Sequence, residues 1–256
     1  MIDCHTHLED ERLLCNVDQI VNDFDKDGIE FVIDGSSNFD TMKCAYDLAQ
    51  KYEKVYTTIG CHPNDAAGFD KQMADLMEIY STNNKVLAVG EIGLDYHYDE
   101  PSKEIQARVF VEQLALADAF KLPVVLHIRD AYGDALKILQ DNKPLLKNGV
   151  VLHCYSGSRE IAQEFLKLDC FFCFGGAITF KNAKKEDIIK SIPLTKLLTE
   201  TDAPYMTPEP FRGKTNYPKL IKYTYQKMSD ILGIGFEELE KLVRKNTQSI
   251  FKKLAL

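Results

Sequence analysis

Several absences narrow the reading at once. No stretch of the 256 residues comes near the ~20 consecutive apolar residues of a membrane-spanning helix. The N-terminus lacks the basic segment and the long apolar run of a secretory leader, and Asp3 and His5 arrive early, so a cytoplasmic protein is expected. No low-complexity tract and no linker rich in Pro, Gly or Ser divides the chain, which leaves one domain over residues 1–256. No G-x-G-x-x-G and no G-x-x-x-x-G-K-[ST] opens a helical pattern, which argues against a nucleotide-binding open sheet. Positive charge is also scarce: Lys and Arg number 31 against 39 Asp and Glu, a formal net charge of −8. A protein that coats duplex nucleic acid neutralises many phosphates, and this balance does not suit it. An enzyme that grips one or two phosphates locally remains compatible, because bound cations add charge that side chains do not show.

The cysteines carry no disulfide framework. There are seven, an odd number, scattered at Cys4, Cys15, Cys44, Cys61, Cys154, Cys170 and Cys173. Only Cys170 and Cys173 make a C-x-x-C, inside a run that reads as a buried strand, where alternation sends the two sulfurs to opposite faces. Reduced core cysteines are expected. With 45% hydrophobic and 27% charged residues, a chain of this size buries a large core unaided. Any metal it holds serves chemistry rather than folding.

What is present is a loose repeat of a short β-rich run, a polar loop and an amphipathic stretch. The β-rich runs are Met1–Cys4, Phe31–Ile33, Val55–Ile59, Val86–Gly90, Pro123–Leu126, Val150–Leu152, Cys170–Phe174 and Leu197–Thr199. They are short and mostly apolar, as parallel strands buried on both faces are. Helical spacing fills the gaps at Asn38–Tyr52, Asp70–Tyr80, Ser102–Phe120, Asp130–Gln140, Ser158–Leu168, Lys184–Ile192, Pro218–Leu232 and Phe236–Leu254. The pattern predicts an α/β fold, a single-domain (β/α)8 TIM barrel.

The histidines then fall in informative places. His5 and His7 close the first strand, His62 follows the third, His127 the fifth and His153 the sixth, while Glu91 closes the fourth and Asp202 the eighth. The C-terminal ends of all barrel strands share one face, so these side chains can converge. His5 and His7 are two residues apart and share a face with Asp3; Ile2 and Cys4 are expected on the opposite, helix-packed face. Imidazoles with carboxylates suit Zn, Mn, Mg, Fe or Co rather than a thiolate-loving metal. His5, His7, Glu91, His127, His153 and Asp202 are six donors, more than one catalytic zinc uses, and they suit two divalent cations with a bridging carboxylate. Glu91 is the expected bridge, set in an apolar run with Gly90 and Gly93 leaving room for close approach.

The chain resembles the TatD family of metal-dependent deoxyribonucleases, within the amidohydrolase-like barrels. The resemblance rests on Ile2–His7, Gly60–Pro63, Gly90–Tyr96, Leu126–Arg129, His153–Gly157, Glu200–Tyr205 and Arg212–Asn216, and so spans nearly the whole chain. It implies one metal on His5, His7, Glu91 and Asp202, and a second on Glu91, His127 and His153. It also implies phosphate contacts from His62, which Pro63 biases to an extended conformation, and from Arg212, whose guanidinium can grip two oxygens beside Lys214. Glu200 reads as an orienting group for a histidine or as a buried ion-pair partner, and His97 as a loop residue.

The expected activity is therefore divalent-metal-dependent phosphodiester hydrolysis, with Glu91 and Asp202 as catalytic carboxylates, and Asp202 orienting a water and taking its proton. The resemblance implies DNA as substrate, trimmed from the 3′ end of a single strand. Two rivals stand beside it. One is a small-molecule hydrolase of amides, lactones or phosphotriesters on the same barrel, since one fold hosts many chemistries. The other is a metal-holding binding module without turnover. No protein partner is implied.

Overall fold

The computed structural model describes residues 1–254; residues 255 and 256 of the expected domain lie outside the described residues. Eight parallel strands run β1 Ile2–Thr6, β2 Phe31–Asp34, β3 Val55–Ile59, β4 Val86–Asp95, β5 Val124–Arg129, β6 Val150–Leu152, β7 Phe171–Phe174 and β8 Leu197–Thr199. They pair in chain order, each with the next. Helices α1 Glu11–Leu14, α2 Val17–Asn22 and α3 Phe24–Asp27 precede β2. Then come α4 Phe39–Lys51, α5 Lys71–Ser81, α6 Lys103–Phe120, α7 Tyr132–Asp141, α8 Arg159–Leu166, α9 Glu186–Ser191, α10 Ile221–Leu232 and α11 Phe236–Ile250. The architecture is the TIM barrel that the alternation predicts. Among the described residues, no helix is long and apolar enough to cross a membrane.

Side chains and loop amides stitch the seam between β8 and β1. The Thr199 hydroxyl donates to Ile2 O at 3.3 Å, and the Tyr225 hydroxyl accepts from Ile2 N–H at 3.0 Å and donates to Ile2 O at 3.2 Å. Asp3 accepts from the Thr201 amide at 2.8 Å. Above the strands, Asp202 N–H donates to His5 O at 2.9 Å and His7 N–H to Ala203 O at 2.7 Å. These bonds bring His5, His7 and Asp202, far apart in the chain, to the same rim.

Local chemistry starts the helices where the sequence says. Asn38 caps α4 in a reciprocal box with Thr41, Asp70 accepts from Met73 N–H for α5, and Ser158 accepts from Ile161 N–H for α8. Each such cap stabilises its helix by about 1 kcal/mol. One apolar layer lies between strands and helices and includes Val124, Leu126, Val150, Leu152, Phe172 and Cys170. A second cluster takes the alternate strand residues, Val125, Val151, Phe171, Cys173 and Leu198, and is closed below by Ile250, Phe251 and Leu254. The two sulfurs of the C-x-x-C thus lie in different layers.

Five expectations need correction. Ile2 and Cys4 belong to the inner cluster, not the helix-packed face. The pairing of β1 with β2 shifts between Asp3 and Thr6, so simple alternation does not carry through the strand. Glu91 does not close β4 but lies inside it, because the strand continues through Gly93↔His127 and Asp95↔Arg129 pairs with β5. Three short helices, α1 to α3, occupy residues where the sequence marked none. Finally, α8 ends at Leu166 and α11 at Ile250, earlier than their periodicity suggests.

Candidate metal centre

At the C-terminal rim of the strands, five side chains come together around Glu91. The Glu91 Oε1 atom lies 3.2 Å from His5 Nε2 and 3.3 Å from His7 Nε2, and these two nitrogens are 3.2 Å apart. Its Oε2 atom lies 3.0 Å from His153 Nε2 and 3.6 Å from His127 Nδ1, and those nitrogens are also 3.2 Å apart. Asp202 Oδ1 stands 3.5 Å from His7 Nε2. Asp202 follows β8 in the left-handed backbone region, at φ 54°, a conformation Asp tolerates better than most residues.

These spacings suit cations. Donors tetrahedrally arranged at about 2.0–2.2 Å from one ion are about 3.3–3.6 Å apart. Two neutral imidazoles facing each other nitrogen to nitrogen, twice over and around one buried carboxylate, have no better shared partner than a cation. The residues His5, His7 and Glu91, and the residues Glu91, His127 and His153, could each hold one.

The remaining ring nitrogens decide the tautomers. His7 Nδ1 lies 3.1 Å from Glu9 Oε1 and His127 Nε2 lies 3.0 Å from Asp95 Oδ2, so each carboxylate takes the N–H and leaves the other nitrogen's lone pair facing Glu91. Glu200 stands 3.8 Å from His153 Nδ1 and accepts from Cys154 N–H at 2.6 Å. Neither Glu9 nor Asp95 was assigned a role from sequence. Asp95 was within reach, since it shares a strand face with Glu91 once β4 is carried to its full length; Glu9 had no such signal.

The charge balance points the same way. Burial alone would raise Glu91, yet the imidazoles of His5, His153 and His7 hold it well below the usual carboxylate range. Burial also opposes the ionised form of Asp202, but the bond from His7 and the charge of His153 keep it low. His127 is raised to about 9 against burial by Asp95 and Glu91. Burial pushes Glu200 up to about 8. Fixed negative charge thus draws protons onto the very lone pairs a cation would use, and cations and protons compete there.

Gly35 explains how the two rings fit. A Cβ at this position would lie 2.8 Å from His5 Cε1 and 3.0 Å from His7 Cε1. The end of β2 therefore admits only glycine beneath the pair.

The other expected residues divide. The ring of His62 lies 4.3 Å from that of His127, at the edge of the cluster. His62 Nδ1 accepts from Asn64 N–H at 3.1 Å, so its Nε2 carries the proton and acts as a donor, not a ligand. Burial and the neighbouring His127 lower it to about 3, so it stays neutral. Arg212 stands apart, exposed in the loop after β8, with its guanidinium 4.3 Å from the Phe180 ring centroid. His97 is a loop residue packed edge-on to Tyr98.

Comparison with known proteins gives a consistent picture. The family described as TatD related DNase matches residues 2–252. A Bacillus subtilis protein, the uncharacterized metal-dependent hydrolase YabD, is 36% identical over 253 residues, covering 98% of this chain and 99% of that one. The Escherichia coli metal-dependent hydrolase YcfH is 32% identical over 256 residues, covering 98% and 95%. The crystal structure of YJJV, a TatD homologue from Escherichia coli, superposes with a TM-score of 0.92 at 29% identity over 98% of both chains.

Proposed function

The chain belongs to the TatD-related DNase family, and from that premise we propose that it is a metal-dependent phosphodiester hydrolase trimming single-stranded DNA from its 3′ end. The observation that carries the reading is the divided Glu91 carboxylate, one oxygen toward each histidine pair. A carboxylate so placed favours two divalent cations (Mg, Mn or Zn) over one. Such cations supply Lewis acidity and a water of lowered pKa.

The protein's own groups do the rest. His5, His7 and Asp202 would hold one cation, and His127 and His153 the other, with Glu91 shared. Asp202, ionised and beside His7, orients the attacking water and takes its proton. The Nε2–H of His62 donates to a non-bridging phosphate oxygen. Arg212, exposed in the loop after β8, adds two parallel N–H donors to the same phosphate. Glu9 and Asp95 hold the rings of His7 and His127 in register, so little reorganisation is needed as charge builds on the phosphate. The net charge of −8 suits an enzyme that takes a strand by its end rather than one that tracks a duplex.

The test is digestion of end-labelled single-stranded DNA, duplex DNA and RNA across a panel of divalent metals, with product lengths resolved. A ladder receding from the 3′ end is expected, abolished by chelator. Lactone or phosphotriester turnover without phosphodiester cleavage under any metal would replace this reading with that of a small-molecule hydrolase.

A further inference from the structure

The segment Glu200–Tyr205 supplies Asp202 to the centre, but its last residue has no part in the chemistry above. Tyr205 lies on the rim, 47% exposed, with its ring centroid 5.8 Å from that of His7 and the planes at 82°. The Arg12 guanidinium covers it at 4.4 Å from the ring centroid. Arg12 Nε and Nη2 donate to the two Asp10 oxygens at 2.8 and 2.6 Å, and the Tyr205 hydroxyl donates to Asp10 Oδ2 at 3.3 Å. Asp10 is itself fixed, since it caps α1 by accepting from Arg12 N–H at 2.9 Å.

Holding a half-exposed tyrosine and an exposed arginine in one arrangement costs rotamer freedom, which the partial burial of the ring offsets only in part. The result is a flat, cation-backed aromatic surface beside a residue of the candidate centre. Exposed Met206 flanks it. Aromatic rings and guanidinium planes are what nucleobases stack on, and every base has a face to offer, so such a surface binds without choosing sequence.

We propose that Tyr205, backed by Arg12, is the stacking platform for one of the two nucleobases flanking the scissile phosphate. The proposal rests on the phosphodiesterase reading and deepens it: the centre holds the phosphate and this pair holds the base. His7 belongs to both neighbourhoods, so the platform lies within the span of a single nucleotide from the phosphate. Tyr205 is thus a positioning residue that sets which bond of the strand meets the centre.

The experiment compares short single-stranded oligonucleotides with and without a base at each of the two flanking positions, the abasic site being a tetrahydrofuran residue. For the parent protein, removing the stacked base lowers kcat/KM by roughly 5- to 150-fold, the usual worth of one base–aromatic stack. In Tyr205→Leu the ratio between normal and abasic strands collapses toward one. Tyr205→Phe, which keeps the ring and loses only the Asp10 bond, restores most of it, and Arg12→Gln gives an intermediate ratio. Ratios in Tyr205→Leu equal to the parent's at both positions overturn the platform while leaving the phosphodiesterase reading intact. A parent protein that cleaves no strand under any divalent metal overturns that reading and the platform with it.

Discussion

Gly35→Ala tests the centre through a residue that carries no functional group. The added methyl would sit 2.8 Å from His5 Cε1, 3.1 Å from His5 Nε2 and 3.0 Å from His7 Cε1. Non-bonded carbons settle at about 3.5–4.0 Å, so the two rings must retreat by at least about 0.5–0.7 Å. They have nowhere to go. His5 is fully buried with its ring centroid 4.2 Å from that of His153, and His7 is pinned at its Nδ1 by Glu9. Metal–ligand distances tolerate only about ±0.2 Å, and a working constellation about 0.5 Å. The expected outcome is a stability loss of about 1–3 kcal/mol from overpacking, with the fold retained. Metal content falls by the share held at His5 and His7, and turnover of a simple phosphodiester drops about 100-fold. Gly133→Ala is the control: it lies in α7 with nothing within 4 Å of its would-be Cβ, and should be neutral or stabilising by about 0.4–1 kcal/mol. Metal analysis of dialysed protein, urea unfolding and a chromogenic phosphodiester assay read all three quantities. A Gly35→Ala protein with the parent's metal content and turnover would refute the argument that these two rings must stand where they do.

Other perturbations reach the same centre from different sides. Glu91→Ala removes the carboxylate shared by both histidine pairs, so both cations and all phosphodiesterase activity should be lost; a variant still holding two metals and turning over would show that Glu91 does not bridge. Asp95→Asn removes the charge that fixes the His127 tautomer, and metal affinity should fall about 10–100-fold in a chelator competition, with unaltered affinity counting against an orienting role. Burial and His127 hold His62 near 3, below its ordinary 6.5, so between those values the unfolded chain binds a proton that the folded chain refuses. The metal-free protein should therefore gain stability as pH rises through that window, by up to about 1.4 kcal/mol per pH unit from this residue. His62→Gln lacks that slope and should gain on the parent as pH falls; parallel urea-unfolding stabilities across the window would contradict it.

Much of the barrel was legible because its strands are short apolar runs, and β3, β6 and β8 start and stop where the composition changes. The run Val86–Gly90 stops short of the end of β4, which continues to Asp95. Its extension depends on β5 pairing with Gly93 and Asp95, which is a long-range fact. The same shortening hid Asp95 from view. Helices α1 to α3 are four to six residues each, too short to display a helical period.

The sequence by itself determined the class of fold, the donor types and the rim on which they gather. Donor type is written in single residues, and strand-end placement in local pattern. Only the tertiary structure decided how those donors face one another. Which oxygen of Glu91 meets which histidine pair, which nitrogen of His7, His62 and His127 keeps its lone pair, and that Tyr205 lies under Arg12 all depend on contacts between segments far apart in the chain. A ring nitrogen's state is set by the partner brought to it, and no spacing along one strand can state that partner.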